Sequence, residues 1–234
     1  MCRILSVIPA RGGSKTIPRK NICLLAGKPL IHYAINLAQA AQAKGLIADY
    51  LVSTDDKEIA DVAREIGANV PFLRPKELAG DTSPIIDTLI HAVEYYEEST
   101  NNKVDVVCLL QPTNPLTIMK DLEGAILLYL DKTPASLISV CDAQHVRLST
   151  LYFKKNDYLV QVFDGDAIKP RQFSEKVAWR NGAIYLASRE LIRNRQAIDE
   201  TPCFYEMPRQ RSVPIDDLCD WELAELYLGV KNEI

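Results

Sequence analysis

The sequence predicts an α/β fold: a mostly parallel, Rossmann-like sheet with helices on both faces and a small hairpin insertion. Three observations predict it. Residues 3–10 (RILSVIPA) and 105–112 (DVVCLLQP) are apolar runs of strand length, the pattern of strands buried on both faces. Helix-periodic stretches alternate with strand-like ones as far as residue 141, which is the rhythm of βα units closing a parallel sheet. The alternation then lapses across 143–175, where a hairpin pattern replaces it.

In chain order, the run 3–10 is the first strand. Residues 29–43 (PLIHYAINLAQAAQA) form a helix with Leu30, Tyr33, Ala34, Leu37, Ala40 and Ala41 on one face and Pro29 near its first turn. A second strand at 50–54 (YLVST) precedes a helix from Asp56 to Ile66 that stops at Gly67. The segment NVPFLR reads as a short third strand and 84–97 as a third helix. The run 105–112 is the fourth strand, 119–131 the fourth helix, and 135–141 (ASLISVC) another strand. LYFKKNDYLVQVF turns at Lys155, Asn156 and Asp157 as a hairpin. GAIYLAS (182–188) returns to the core, and residues 217–230 make a closing helix. Repeats, low-complexity segments and Pro/Gly/Ser linkers are absent from the sequence, so 1–234 reads as a single domain with 143–175 as an insertion, a dimerisation arm or a substrate lid.

Composition excludes several classes. Among 234 residues, 47% are hydrophobic and 25% charged, and the net charge of −4 gives no footprint for nucleic acid or an anionic membrane. The six cysteines form no C-x-x-C pair or zinc spacing, and with three histidines no Ser-His-Asp order is legible. Buried thiols in a reducing compartment account for them. The start, MCRILSVIPARGG, is too short an apolar stretch for a signal peptide, and no apolar run reaches the roughly 18 residues that span a bilayer. The expectation is a cytoplasmic, soluble protein.

Against that acidic background, IPARGGSKTIPRKN (8–21) places Arg11, Lys15, Arg19 and Lys20 beside Gly12 and Gly13 at the end of the first strand. Ligands of open α/β sheets sit beyond the carboxyl ends of the strands. The glycine pair is expected to turn backbone N–H groups toward an anion, and the four cations suit a polyanion such as a triphosphate. The loop is neither a Walker sequence nor a G-x-G-x-x-G fingerprint. A solvated basic turn is the competing account.

IPARGGSKTIPRKN closely resembles the signature of the acylneuraminate cytidylyltransferases, the CMP-sialic acid synthetases, whose members include legionaminic and pseudaminic acid relatives. LVSTDDKEIADVAREIGA, FLRPKELAGDTS, LLQPTNPL, NGAIYL and IDDLCDWELAE look like further blocks of that family in the same order, over residues 4–228. The resemblance implies a nucleotidyltransferase that uses CTP and Mg2+ to activate a nonulosonic acid. The anomeric hydroxyl of the sugar attacks the α-phosphate and pyrophosphate leaves. A homodimer is implied, and neither nucleic acid nor membrane is a partner. The related enzymes for the eight-carbon acid Kdo carry a loop closer to IPARxxSxRLPGK. A non-catalytic nucleotide-binding protein of the same fold is the other alternative.

Carried over by matching positions, Arg11 and Lys20 are phosphate-contacting catalytic residues, with Gly12, Gly13, Lys15 and Asn21 in the same nucleotide-binding loop. Arg74 and Ser83 match nucleotide-side positions. Asp81 and Thr82 read equally as a helix cap. Gln111, Arg171, Asn181 and Tyr185 match sugar-side positions; Arg171 suits a bidentate grip on a carboxylate. Many relatives present Asp-x-Asp for the metal. Here Pro214 stands at the first position, leaving Asp216 as the expected Mg2+ ligand and catalytic carboxylate, with Asp217 pointing elsewhere and Asp220 a cap or first-turn acid.

Overall fold

The structure is a computed structural model and describes residues 2–143, 150–162 and 176–230. Strands β1 (Ile4–Pro9), β4 (Asp49–Ser53), β5 (Val106–Leu110), β6 (Ser136–Asp142), β9 (Ala178–Ser188) and β10 (Cys203–Glu206) form one six-stranded sheet in the order β10-β6-β9-β5-β1-β4. β1 runs parallel to both β4 and β5, and β10 is parallel to β6, whereas β9 is antiparallel to its neighbours β5 and β6. A ribbon of β2 (Leu24–Leu25) and β3 (Lys28–Pro29) follows the first loop, and β7 (Tyr152–Lys155) pairs with β8 (Tyr158–Gln161) as a separate hairpin.

Strand alternation divides the core into two layers. Ile4 and Ile8 of β1 and Val106, Cys108 and Leu110 of β5 face α1 (Leu30–Ala43), α2 (Lys57–Glu65) and α4 (Met119–Lys132). Leu5, Val7, Val107 and Leu109 face α3 (Ile85–Thr100) and α5 (Arg189–Arg193) on the other side. Each fully buried Leu or Ile contributes about 1.5–3 kcal/mol relative to exposure, which is why these apolar runs choose the middle of the sheet. A third cluster, Ile17, Leu25, Leu30, Leu116, Val213, Ile215 and Ala224, packs α6 (Leu218–Val230) against the base of the glycine-cation loop. Helix α1 buries a wider arc than its sequence face implies: Ile31, Ile35 and Ala38 are buried and Ala40 is exposed, because α1 lies between the sheet and its neighbouring helices.

Several local expectations are corrected. NVPFLR is not a strand. It makes one isolated bridge, Thr54 to Leu73, with hydrogen bonds from Val52 N to Asn69 O and from Arg74 N to Thr54 O. Pro71 has no N–H to extend a ladder. Strand β10 and helix α5 were not expected. The first is a four-residue edge strand whose Phe204 and Glu206 stay exposed, and the second is too short to show a helical period. Of the cysteines only Cys108 and Cys141 are buried, and all six are unpaired. Asp81 does not cap α3; Pro84 holds that position and makes no side-chain cap.

Candidate active site

A cavity of about 560 Å3 opens at the carboxyl ends of β1 and β5. Here the connection from β1 leaves toward β4 on one side while β5 lies on the other, so neighbouring loops part and leave a crevice. Of the residues singled out in the sequence, Arg11, Lys15, Lys20, Asn21, Arg74, Ser83, Gln111 and Asp216 line it. Gly12, Gly13, Asn181 and Tyr185 are not in its wall, and Arg171 lies outside the described residues.

The four cations of the loop separate into two kinds. Lys20 is drawn inward: its side chain is 13% exposed, and Nζ donates to the Ile215 carbonyl at 2.6 Å with the Asp216 carboxylate 3.9 Å away. Burial lowers its pKa, and the charges of Asp216 and Asp220 oppose that fall. Arg11 Nη1 donates to Asp81 Oδ1 at 3.0 Å and to the Gly80 carbonyl at 3.3 Å, and Lys15 Nζ lies 2.9 Å from Asp81 Oδ2. Arg19, however, turns away from the cavity. Its guanidinium forks onto Asp56, with Nη2 3.0 Å from Oδ1, and reaches Glu58 as well. Arg19 has φ 58°, a left-handed conformation that the clamp helps to hold. It fastens the loop to the start of α2, where Asp56 also caps Ile59 N.

The glycine pair does not use its left-handed freedom here, and the Gly12 N–H is already taken. Neither Gly12 nor Gly13 has a positive φ, and Gly12 N donates to Asp55 Oδ1 at 3.0 Å. Gly12 is needed for close approach instead: a Cβ there would lie 2.6 Å from Asp56 Oδ2. Gly12→Ala is therefore expected to displace Asp56 and loosen the Arg19 clamp, costing about 1–3 kcal/mol in unfolding free energy. A denaturation curve indistinguishable from wild type would refute this. Asn21 is buried, and its Nδ2 donates to the Arg11 carbonyl at 3.0 Å, holding the strand end open as the loop departs.

On the opposite wall, Arg74 is only 4% exposed. Its Nη1 donates to Thr88 Oγ1 at 2.9 Å, Nη2 lies 3.7 Å from Asp55 Oδ1, and Nε has no partner among the described residues. Burial lowers its pKa, with the Asp55 charge opposing. Ser83 Oγ donates to the Glu77 carbonyl at 2.8 Å and closes the turn before α3. Ile85 and Thr88 bring the uncapped first turn of α3 to the cavity wall.

The segment carrying Asp216 is pinned along its length. Arg211 makes two hydrogen bonds to the fully buried Asp121, at 2.7 and 2.8 Å, and Ile215 N donates to the Thr113 carbonyl at 2.8 Å. Asn181 belongs to this bracing rather than to the cavity wall. Its Nδ2 donates to Ser212 Oγ at 2.8 Å, and its Oδ1 accepts from Ser139 Oγ at 2.6 Å and from Ala183 N. The next residue, Gly182, has φ 78°, where β9 bulges against β6. A Cβ at Gly182 would stand 3.5 Å from Asn114 Nδ2 and 3.8 Å from both Gln111 Nε2 and the Tyr185 hydroxyl. Tyr185 is a buried strand residue whose hydroxyl borders the same space as Gln111 Nε2, with the Arg180 guanidinium 5.8 Å from its ring centroid. Gln111 thus faces the cavity with Tyr185 behind it.

Sequence reading passed over Asp55 and Thr88, both of which orient Arg74 in the cavity wall through contacts distant in the chain. Only Asp55 carries a positional signal, sitting just beyond the carboxyl end of β4. Among the described residues no group of three or more His, Cys, Asp or Glu side chains is arranged to hold a metal.

Residues 5–225 match the model of a family described as cytidylyltransferase. The chain is 35% identical to the CMP-N,N'-diacetyllegionaminic acid synthase of Legionella pneumophila, over 99% of this chain and 98% of that protein. It is 32% identical to the pseudaminic acid cytidylyltransferase of Campylobacter jejuni, over 98% and 97% of the two chains. Among solved structures, a CMP:2-keto-3-deoxy-manno-octonic acid synthetase complexed with CTP superposes with a TM-score of 0.72 at 17% identity, covering 98% of this chain and 99% of that one. That last likeness is one of fold.

Proposed function

The chain belongs to the cytidylyltransferase family, and on that premise we propose that it activates a nonulosonic acid with CTP, yielding the CMP-sugar and pyrophosphate. The observation that carries the proposal is the convergence of Arg11, Lys15, Lys20, Arg74, Gln111 and Asp216 on one cavity at the strand ends. Arg11 and Lys15 would bind the terminal phosphates. Lys20, held between the Ile215 carbonyl and Asp216, would meet the charge that grows on the leaving pyrophosphate. Arg74, set by Thr88 and Asp55 and with Nε unpartnered, would offer that donor to the base or ribose. Gln111 lines the cavity and can donate to and accept from the sugar hydroxyls.

Mg2+ is compatible with this donor set. A single well-placed carboxylate with the phosphates themselves is a common way to hold it, and Asp216 lines the cavity beside Lys20 with 82% of its side chain exposed. When bound, the ion would supply neutralisation of phosphate charge. The decisive experiment is pyrophosphate release with CTP, Mg2+ and a panel of legionaminic, pseudaminic, neuraminic and Kdo substrates. Release with a nine-carbon acid is the expected result; release with Kdo alone, or with none, would overturn the proposal.

The same reading makes the enzyme a cytoplasmic homodimer. Support comes from the β7–β8 hairpin, which among the described residues pairs with no strand of the main sheet and exposes Tyr152, Phe153, Tyr158, Leu159 and Val160. An isolated two-stranded ribbon is marginal in water, and so much apolar surface calls for a partner. Among the described residues no helix is long and apolar enough to cross a membrane. Sedimentation of the wild type is expected to give a dimer, and Tyr158→Asp with Leu159→Asp a monomer. A monomeric wild type would refute the arrangement.

A further inference from the structure

We propose that Asp81 is a built-in competitor for the phosphate cradle, a tethered carboxylate that sets how tightly pyrophosphate is held and so how readily that product leaves. The inference rests on the cytidylyltransferase reading and adds to it a residue that acts on product release. Asp81 stands in the cavity wall with one carboxylate oxygen on Arg11 and the other on Lys15, at 3.0 and 2.9 Å. A carboxylate that bridges two cations presents its oxygens as two phosphate oxygens would, and neither donor can give the same N–H to both ligands. Lys15 and then Arg11 hold the Asp81 carboxyl below its usual range, so it is ionised at neutral pH.

The surrounding chain suits a displaceable ligand. Asp81 belongs to a tight turn, with Ser83 N donating to the Gly80 carbonyl at 3.1 Å and Ser83 Oγ to the Glu77 carbonyl at 2.8 Å. The Asp81 side chain is 47% exposed, so leaving the cations takes it into water rather than into the core. Attachment to the wall keeps its local concentration in the millimolar range or above. After cytidylyl transfer the cradle would hold a highly charged pyrophosphate, and a carboxylate waiting beside it lowers the cost of release. Asp81 serves neither as a cap nor as part of the packed core, which leaves this competition as the interaction its position explains.

The test is titration calorimetry with inorganic pyrophosphate, with cytidine as the ligand that lacks phosphates. Asp81→Asn keeps the size and hydrogen-bonding atoms but removes the charge. It is expected to bind pyrophosphate about threefold to tenfold more tightly, the range that loss of two solvent-exposed ion pairs allows, with cytidine affinity unchanged. The gain should largely vanish when Arg11→Met and Lys15→Met are added. Pyrophosphate affinity that is unchanged or weaker in Asp81→Asn, with the wild type binding normally, would overturn this inference alone. A wild type that binds neither pyrophosphate nor CTP would overturn it together with the assignment of the cavity.

Discussion

Replacing Lys20 by Ala should lower kcat for CMP-sugar formation by at least about 100-fold, the usual effect of removing one preorganised donor aimed at developing charge. The structure sets Lys20 apart from two of the other loop cations. Arg19 is committed to Asp56 and Glu58, and Lys15 is 73% exposed on a flexible stem. Lys20 Nζ is fixed by the Ile215 carbonyl, so little reorganisation would accompany the proposed reaction, and its partial burial would strengthen its field at bound phosphates. Lys20→Arg keeps the charge but cannot place a planar guanidinium at the same point, and it should recover only part of the rate. Steady-state kinetics with CTP and a nonulosonic acid would check both variants. A loss below tenfold in Lys20→Ala, with an unchanged melting temperature, would remove Lys20 from the catalytic set.

The second large effect concerns adjacent aspartates. Asp216→Asn should nearly abolish turnover, while Asp217→Asn should retain most of it. The two carboxylates do different work. Asp216 lines the cavity beside Lys20. Asp217 Oδ1 accepts from Asp220 N at 3.0 Å, and Asp220 Oδ2 accepts from the N–H groups of Asp216 and Asp217, at 2.9 and 3.1 Å. This reciprocal pair caps α6, and Asn is as good an acceptor there as Asp, so stability should change by less than about 1 kcal/mol. Pyrophosphate release measured over a range of Mg2+ concentrations separates the two variants. Comparable losses in both would mean that the α6 cap, rather than one carboxylate, is what the site requires.

Because each rests on local pattern, the strands β1 and β5, the helices between them and the hairpin of 152–161 were all legible. Strands buried on both faces leave apolar runs, helices leave their period, and Asn156, with φ 52°, marks the turn between β7 and β8. The expected strand at NVPFLR failed on Pro71, where a missing N–H outweighed the apolar composition around it. Strand β10 escaped notice because an edge strand with one half-buried face has no distinctive composition.

The sequence by itself determined that this is an α/β nucleotide-binding chain with a cationic loop at the end of its first strand, since strand burial, helix period and the order of the blocks are all written locally. Only the tertiary structure decided what each polar side chain does. Arg19 is spent on α2, Asn181 braces the segment leading to Asp216, and Asp81 answers Arg11 from 70 residues away. Those outcomes depend on which groups the fold brings within hydrogen-bonding distance. Charge and shape are paired across space, and nothing in the spacing of residues along the chain encodes that pairing.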